Sequence, residues 1–134
     1  MKEIYISDIE KQTIANDNFR KVVATGSHSQ IVLMSLLPKE EIGTEVHKNV
    51  DQFFRFEKGK GKVYVNGEDY DVLDGYAILI PAGSEHNVVN TSAEPLKFYT
   101  IYSPANHIDG RVHKTKGDAI ADLEDEEFGN NNDK

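Results

Sequence analysis

Residues Gly75 to Asn90 read GYAILIPAGSEHNVVN, and the placing of their glycines, proline and histidine decides the fold. Tyr76 to Ile80 is an apolar run of strand length and strand composition. Pro81-Ala82-Gly83 stops it, because proline carries no N–H for a ladder and glycine frees the backbone for a turn. His86 opens the next strand directly after that turn. A histidine at a strand start is aimed with little side-chain freedom, which suits a metal ligand or an acid–base group. Taken alone, such a histidine is more often a satisfied structural one.

Outward from this stretch the chain keeps the same rhythm. Upstream, Asp74-Gly75 is a turn, Asp69 to Leu73 a strand, Asn66-Gly67 a two-residue hairpin signal and Lys62 to Val65 the partner strand. Gly59-Lys60-Gly61 reads as a turn. Glu45 to Glu57, EVHKNVDQFFRFE, alternates so that Gln52, Phe54 and Phe56 share one face and Phe53, Arg55 and Glu57 the other. Ile31 to Leu37 is a buried strand ended by Pro38, and Phe19 to Ala24 is another. Ile4, Ile6 and Ile9 read as anchors of a first strand before the turn Asn16-Asp17-Asn18. Downstream, Ser92 to Pro95 is a turn and Leu96 to Tyr102 a strand. Short strands separated by turns about every ten residues indicate an all-β sandwich or barrel. Past Pro104 the pattern changes. Asp118 to Glu127 reads as a short helix with Asp118 as its cap, and Gly129 to Lys134 as a disordered end. The expected organisation is one barrel domain over 1–116 and an acidic C-terminal tail over 117–134.

The opening stretch resembles the second motif of the cupin superfamily, G-(x)5-P-x-G-(x)2-H-(x)3-N, with Gly75, Pro81, Gly83, His86 and Asn90 filling every fixed position. The first cupin motif, G-(x)5-H-x-H-(x)3–4-E-(x)6-G, fits in register when its end is set on Gly59. Gln52 then takes the glutamate slot, His47 the second histidine slot, Glu45 the first histidine slot and Lys39 the opening glycine slot. The register is therefore kept while three identities depart. The resemblance covers roughly Ile31 to Tyr102. It implies a double-stranded β-helix, or jelly-roll barrel, with a metal near one open end, and often a homodimer.

The implied ligand set is Glu45, His47, Gln52 and His86. One anion and three neutral ligands preserve the charge of the usual three histidines and one glutamate. Two imidazoles with two oxygens suit a single divalent Mn, Fe, Ni, Co or Zn, and spacing does not choose among them. Four protein ligands on an octahedral ion leave two positions for water or a bidentate substrate. The residues leave other readings open: Glu45 as a surface acid, Gln52 as a rim hydrogen-bonder, Asn49 or Asp51 as oxygen ligands, and a metal-free barrel. Phe54 and Phe56 share the face of Gln52 and are expected either to line the pocket or to fill the core. His28, His107 and His113 lie outside both motifs and read as surface or structural residues, although the His107 to His113 segment is also placed to fold over the barrel mouth or to pack on a partner subunit.

At 134 residues the chain has the size of one domain. It has no cysteine, which excludes disulfides and thiolate metal sites. No run reaches membrane-spanning length and the charged start lacks an apolar signal core, so a soluble, cytoplasmic protein without membrane partners is expected. The net charge is −8, of which Asp118 to Lys134, with seven acids and one lysine, carries −6. General nucleic-acid binding, which needs a basic footprint, is excluded on that balance. The acidic tail is expected to stand apart from the functional surface, so its deletion should little affect metal or ligand binding.

Three functions follow. The first is a metal-dependent enzyme acting on a small oxygen-rich metabolite (a sugar acid, polyol or enolisable keto compound), with the ion as Lewis acid. The second is a sugar-type binding module without turnover, and the third a metal-free interaction protein using the acidic tail. No catalytic acid or base stands out in the motifs, and fold analogy does not choose a reaction.

Overall fold

A computed structural model of the chain describes residues 3–133. Strands β1 (Arg20–Thr25), β2 (Gln30–Leu36), β3 (Glu45–Val46), β4 (Asp51–Lys58), β5 (Lys60–Val65), β6 (Glu68–Leu73), β7 (Ala77–Ile80), β8 (Glu85–Asn90), β9 (Leu96–Ser103) and β10 (Val112–His113) form two antiparallel sheets. The larger has the order β10-β1-β2-β9-β4-β7 and the smaller β3-β8-β5-β6. The non-consecutive neighbours are those of a double-stranded β-helix, the jelly-roll arrangement that closes an all-β chain around one core.

Alternation within the strands builds that core. Phe54 and Phe56 from β4, Phe98 from β9, Met34 and Leu36 from β2, and Val63 and Val88 from the smaller sheet are fully buried. The rings of Phe54, Phe56 and Phe98 lie 5.3–6.2 Å apart between centroids, within the range where aromatic pairs attract. The hairpin at Asn66-Gly67 has φ of 49° and 85°, the two positive values that a type I′ turn demands. Gly75 and Gly83 of the decisive stretch have φ of 88° and 90°, so both motif glycines sit where a Cβ would strain the turn. Asn90, the last residue of that motif, is wholly buried. Its Nδ2 donates to the carbonyls of Leu36, Leu37 and Glu94, and its Oδ1 accepts from the Ser92 N–H. It ties three chain segments together at the end of β8.

Four expectations are corrected. Ile4 and Ile6 anchor no strand: they are 89% and 88% exposed, and α1 (Ile9–Ala15) begins at Asp8, whose carboxylate caps it by accepting from the Lys11 N–H. This helix and the Asn16-Asp17 turn lie on the outer face of the larger sheet, where buried Lys97 donates to Asn16 O and pairs with Asp17. Lys60 and Gly61 belong to β5 rather than to a turn, and the reversal is confined to Gly59. The proposed 118–127 helix is two helices, α2 (Lys116–Ala121) and α3 (Leu123–Asn132). Thr115 caps α2, with Asp118 in the reciprocal third position of a capping box, and Asp122 caps α3. Residues 129–132 are therefore helical instead of disordered. Polar composition suggested disorder, but tertiary contacts described below hold them. Lys134 lies outside the described residues.

Candidate metal centre

The four residues aligned by the first and second motifs come from both sheets. Glu45 lies on β3 and His86 on β8, paired directly across the smaller sheet. His47 follows β3, and Gln52 lies on β4 of the larger sheet. The continuous alternation read over 45–57 is broken between His47 and Asp51, where the chain crosses from one sheet to the other. The crossing nevertheless brings Glu45 and His47 to the same side. His47 Nε2 lies 2.9 Å from Glu45 Oε2, and the His47 and His86 rings are 5.4 Å apart between centroids. One ligand atom each of Glu45, His47 and His86 lies within 4.8 Å of the others.

Gln52 completes the group. His86 Nδ1 is 3.0 Å from the Ser84 carbonyl, which can only accept, so that nitrogen carries the hydrogen. His86 Nε2 then turns a lone pair toward Gln52 Oε1 at 3.0 Å, while Gln52 Nε2 donates to Thr100 Oγ1 at 3.1 Å. As placed, two acceptors face each other across that distance, the arrangement that two ligands of one cation take. His47 Nε2 is a second unsatisfied atom, buried and without an aligned hydrogen bond despite its closeness to Glu45. Bonds of about 2.1 Å at right angles put donor atoms about 3.0 Å apart, close to both observed separations of 2.9 Å and 3.0 Å. The donor set present therefore fits a divalent ion.

The protonation states agree with that fit. Burial would raise the Glu45 carboxyl, but the His47 imidazole, with the charges of Arg20 and His86 behind it, holds it below the ordinary carboxylate range. His86 is lowered mainly by burial, and also by His47, against the opposing pull of the Ser84 carbonyl and Glu45. An ionised carboxylate and a neutral imidazole are the forms that coordinate metal.

Phe54 and Phe56 do share the face of Gln52, but they lie beneath the group rather than on a pocket wall. The Phe54 ring is 6.3 Å from His86, and both phenylalanines are wholly buried core. The cavity of about 420 Å³ opens above Glu45 and His47, and neither ring lines it. Its walls include Phe19, Arg20, Ile42 and His107, with Lys116 from α2, Asp125, Glu126 and Gly129 from α3, and Asp133 at the end of α3.

The acidic segment is thus part of the site, contrary to the expectation that it stands apart. Asp125 Oδ2 accepts from His107 Nδ1 at 2.7 Å and its Oδ1 from the Ile108 N–H at 2.7 Å. Asn132 donates to the Ala105 carbonyl, and Asp133 accepts from the amides of Lys48 and Asn49, next to His47. The His107 to His113 segment is a tether for these helices. His113 Nε2 contacts Asp122 at 2.9 Å, and Asp122 is held down at about 2 by His113, the Asp125 amide and Arg111. His113, Asp122 and Asp125 are close enough to hold an ion. The Arg111 guanidinium on Asp122 makes the group an ion-pair cluster already neutralised from within. His28 is exposed.

Sequence reasoning missed Arg20, Thr100, Tyr102 and Asp125. Arg20 shares the inward face of Val22 at the start of β1, and a charge on an inward strand position was its signal. Tyr102 is pushed well up by burial, so its hydroxyl stays protonated. It donates to His107 Nε2 at 3.2 Å, beside His47. No local pattern distinguishes Asp125 from its acidic neighbours.

Comparison with known proteins gives a consistent answer. The family model described as the cupin domain matches residues 32–102. The chain is 47% identical over 123 residues to the uncharacterized protein YrkC of Bacillus subtilis (strain 168), over 87% of this chain and 66% of that protein. It therefore spans just under two thirds of that relative's length. It is 41% identical over 115 residues to the uncharacterized protein L612 of Acanthamoeba polyphaga mimivirus, over 82% of this chain and 71% of that one. The crystal structure of BH2720 from Bacillus halodurans aligns with a TM-score of 0.87 at 45% identity, over 89% of this chain and 95% of that one. A family match across more than half the residues, on a barrel whose mouth is built where the two motifs fall, makes this chain a member of the cupin family.

Proposed function

We propose that the chain binds one divalent transition metal (Mn, Fe, Ni, Co or Zn) through Glu45, His47, Gln52 and His86. We propose further that it acts as an enzyme on a small oxygen-rich metabolite held in the adjoining cavity. The observation that carries this reading is the convergence of Glu45, His47 and His86 ligand atoms within 4.8 Å, with a buried unsatisfied His47 Nε2 among them. When bound, the ion supplies Lewis-acid polarisation of a substrate carbonyl or enediolate oxygen. Thr100 orients the Gln52 amide, and the Ser84 carbonyl fixes the His86 tautomer, as partners behind metal ligands commonly do. Helix α3 and the 105–108 segment wall the cavity and are tied together by Asn132 and Ala105, and Tyr102 offers a protonated hydroxyl beside His47. An isomerase-, lyase- or dioxygenase-type reaction is compatible with this set.

Metal content by mass spectrometry, on protein prepared without a histidine tag or chelator, tests the reading. One equivalent per chain is expected, lost in His47→Ala and His86→Ala with the barrel still folded, and weakened less in Gln52→Ala. Full occupancy in His86→Ala, or no uptake of added Mn²⁺, Fe²⁺, Ni²⁺, Co²⁺ or Zn²⁺ by the wild-type chain, sinks the assignment. Turnover of a sugar acid, polyol or keto acid by the metal-loaded chain then separates an enzyme from a binding module.

A homodimer is part of this proposal. Ile31, Ile101, Phe53 and Leu79 form one row across the outer face of the larger sheet, and Leu79 is 61% exposed. Light scattering should give twice the 15.0 kDa chain mass, and Leu79→Glu should yield the monomer. An unchanged mass in that variant rejects this face. No helix among the described residues is long and apolar enough to cross a membrane.

A further inference from the structure

Among the described residues, Arg20 is the one strong cation buried at this cavity whose charge no carboxylate pairs. It enters from β1, in register with Met34 and His113, and is 7% exposed. Its Nε is buried with no hydrogen-bond partner, and among the described residues no carboxylate forms an ion pair with it. The flat guanidinium lies over the Phe19 ring, with Cζ 5.2 Å from the centroid. A cation–π contact of that kind holds the guanidinium against the ring without using its N–H groups, which stay free to donate.

The carboxylates nearby are already engaged. Glu45 lies against His47, and Asp125 accepts from His107 and Ile108. Asp133 accepts from Lys48 and Asn49 on the far rim, and Glu126 is solvent-exposed. Arg20 acts on Glu45 and Asp125 only through space, lowering both. Burying an arginine without a partner is costly, and a fold keeps such a group where it gains one in function. Lys116 lines the same cavity and adds a second positive charge.

We infer that Arg20 determines substrate class: its guanidinium edge takes the carboxylate of the ligand, so the cavity selects small organic acids over their neutral counterparts. The inference rests on the proposed function in taking this cavity as the substrate's, and it narrows that substrate to an acid. A planar fork matched to a planar carboxylate gives two parallel charge-assisted hydrogen bonds, which a hydroxyl cannot reproduce.

The test uses the full chain loaded with Mn²⁺ and titrated calorimetrically with pairs that differ at one carbon: gluconate against glucitol, and lactate against 1,2-propanediol. The acid of at least one pair should bind measurably tighter than its neutral twin. Arg20→Gln should weaken that acid about 10- to 100-fold, and Arg20→Lys by an intermediate amount, because the ammonium keeps the charge without the fork. Mn²⁺ affinity in Arg20→Gln should be retained or raised, and its melting temperature unchanged or raised, because an unpaired buried charge has been removed. If acids and neutral twins bind alike, or no acid binds, the inference is overturned. It is equally overturned if Arg20→Gln melts lower while keeping the discrimination, the behaviour of a structural counterion. Failure of the wild type to bind Mn²⁺ counts against the metal reading alone. The same titrations on the metal-free chain then decide the role of Arg20.

Discussion

Replacing Asp125 with alanine is the sharpest test of how the cavity wall is held. Asp125 is 4% exposed, and its two oxygens accept from His107 Nδ1 and the Ile108 N–H, both at 2.7 Å. Alanine strands both donors at a position that is buried in the wild type. A buried donor left unpaired costs about 1–3 kcal/mol, so the two together cost about 2–6 kcal/mol. For a domain of this size each kcal/mol lowers the melting temperature by about 3–5 °C, which places the fall at about 6–30 °C. Asp125→Asn keeps the shape and can still accept from Ile108, but it loses the charge-assisted bond to His107, costing about 1–2 kcal/mol. The expected order of stability is wild type, asparagine, alanine. Circular dichroism melts measure it, and amide exchange along α3 locates it, since the middle of α3 then loses its anchor while the ties at Asp122, Glu124, Asn132 and Asp133 remain. An alanine variant melting within about 2 °C of wild type, with α3 amides still protected, refutes the reasoning.

The other predictions concern single contacts. Gly129→Ala should gain about 1 kcal/mol of helix propensity. A Cβ there would lie 2.7 Å from the Asn106 carbonyl, and that overpacking costs about 1–3 kcal/mol. A lower melting point is therefore expected, and a higher one shows that α3 does not seat on the rim. Asn90→Ala leaves the Leu36, Leu37 and Glu94 carbonyls without their shared donor, and should cost about 2–4 kcal/mol in a urea titration. A loss under about 1 kcal/mol would falsify its structural role. His107 is held below its ordinary value mainly by burial and by the charge of Arg20, against the pull of Asp125. The unfolded chain therefore takes up this proton first as pH falls. Stability contributed by neutral His107 is complete above about pH 6.5 and is lost between there and the lower folded value. Melting temperature should fall with pH across that window, and less steeply in His107→Gln; equal slopes in the two proteins remove His107 as the cause.

Most of the barrel was legible in the chain because strand periodicity and turn chemistry are local. Tyr76 to Ile80, the Asn66-Gly67 hairpin and the Leu96 to Tyr102 run need no distant partner to be read, and all became strands or turns near their expected bounds. The juxtaposition of Glu45, His47, Gln52 and His86 was legible only through motif spacing. Spacing records which turn ends each strand, and so which residues meet at the mouth. It did not reveal that the chain changes sheet between His47 and Asp51. The first helix was misread because three isoleucines outweighed the cap at Asp8, a signal of one residue.

The sequence by itself determined the alternation of faces, the placing of the turns and the supply of two imidazoles and two oxygens at cupin spacing. Only the tertiary structure decided that Phe54 and Phe56 are floor rather than wall, that the acidic segment lines the cavity, and that Arg20 Nε is buried with no hydrogen-bond partner among the described residues. These depend on contacts between residues up to a hundred positions apart. A local pattern can specify which way a side chain points, while what it meets is set by how the two sheets and the C-terminal helices pack.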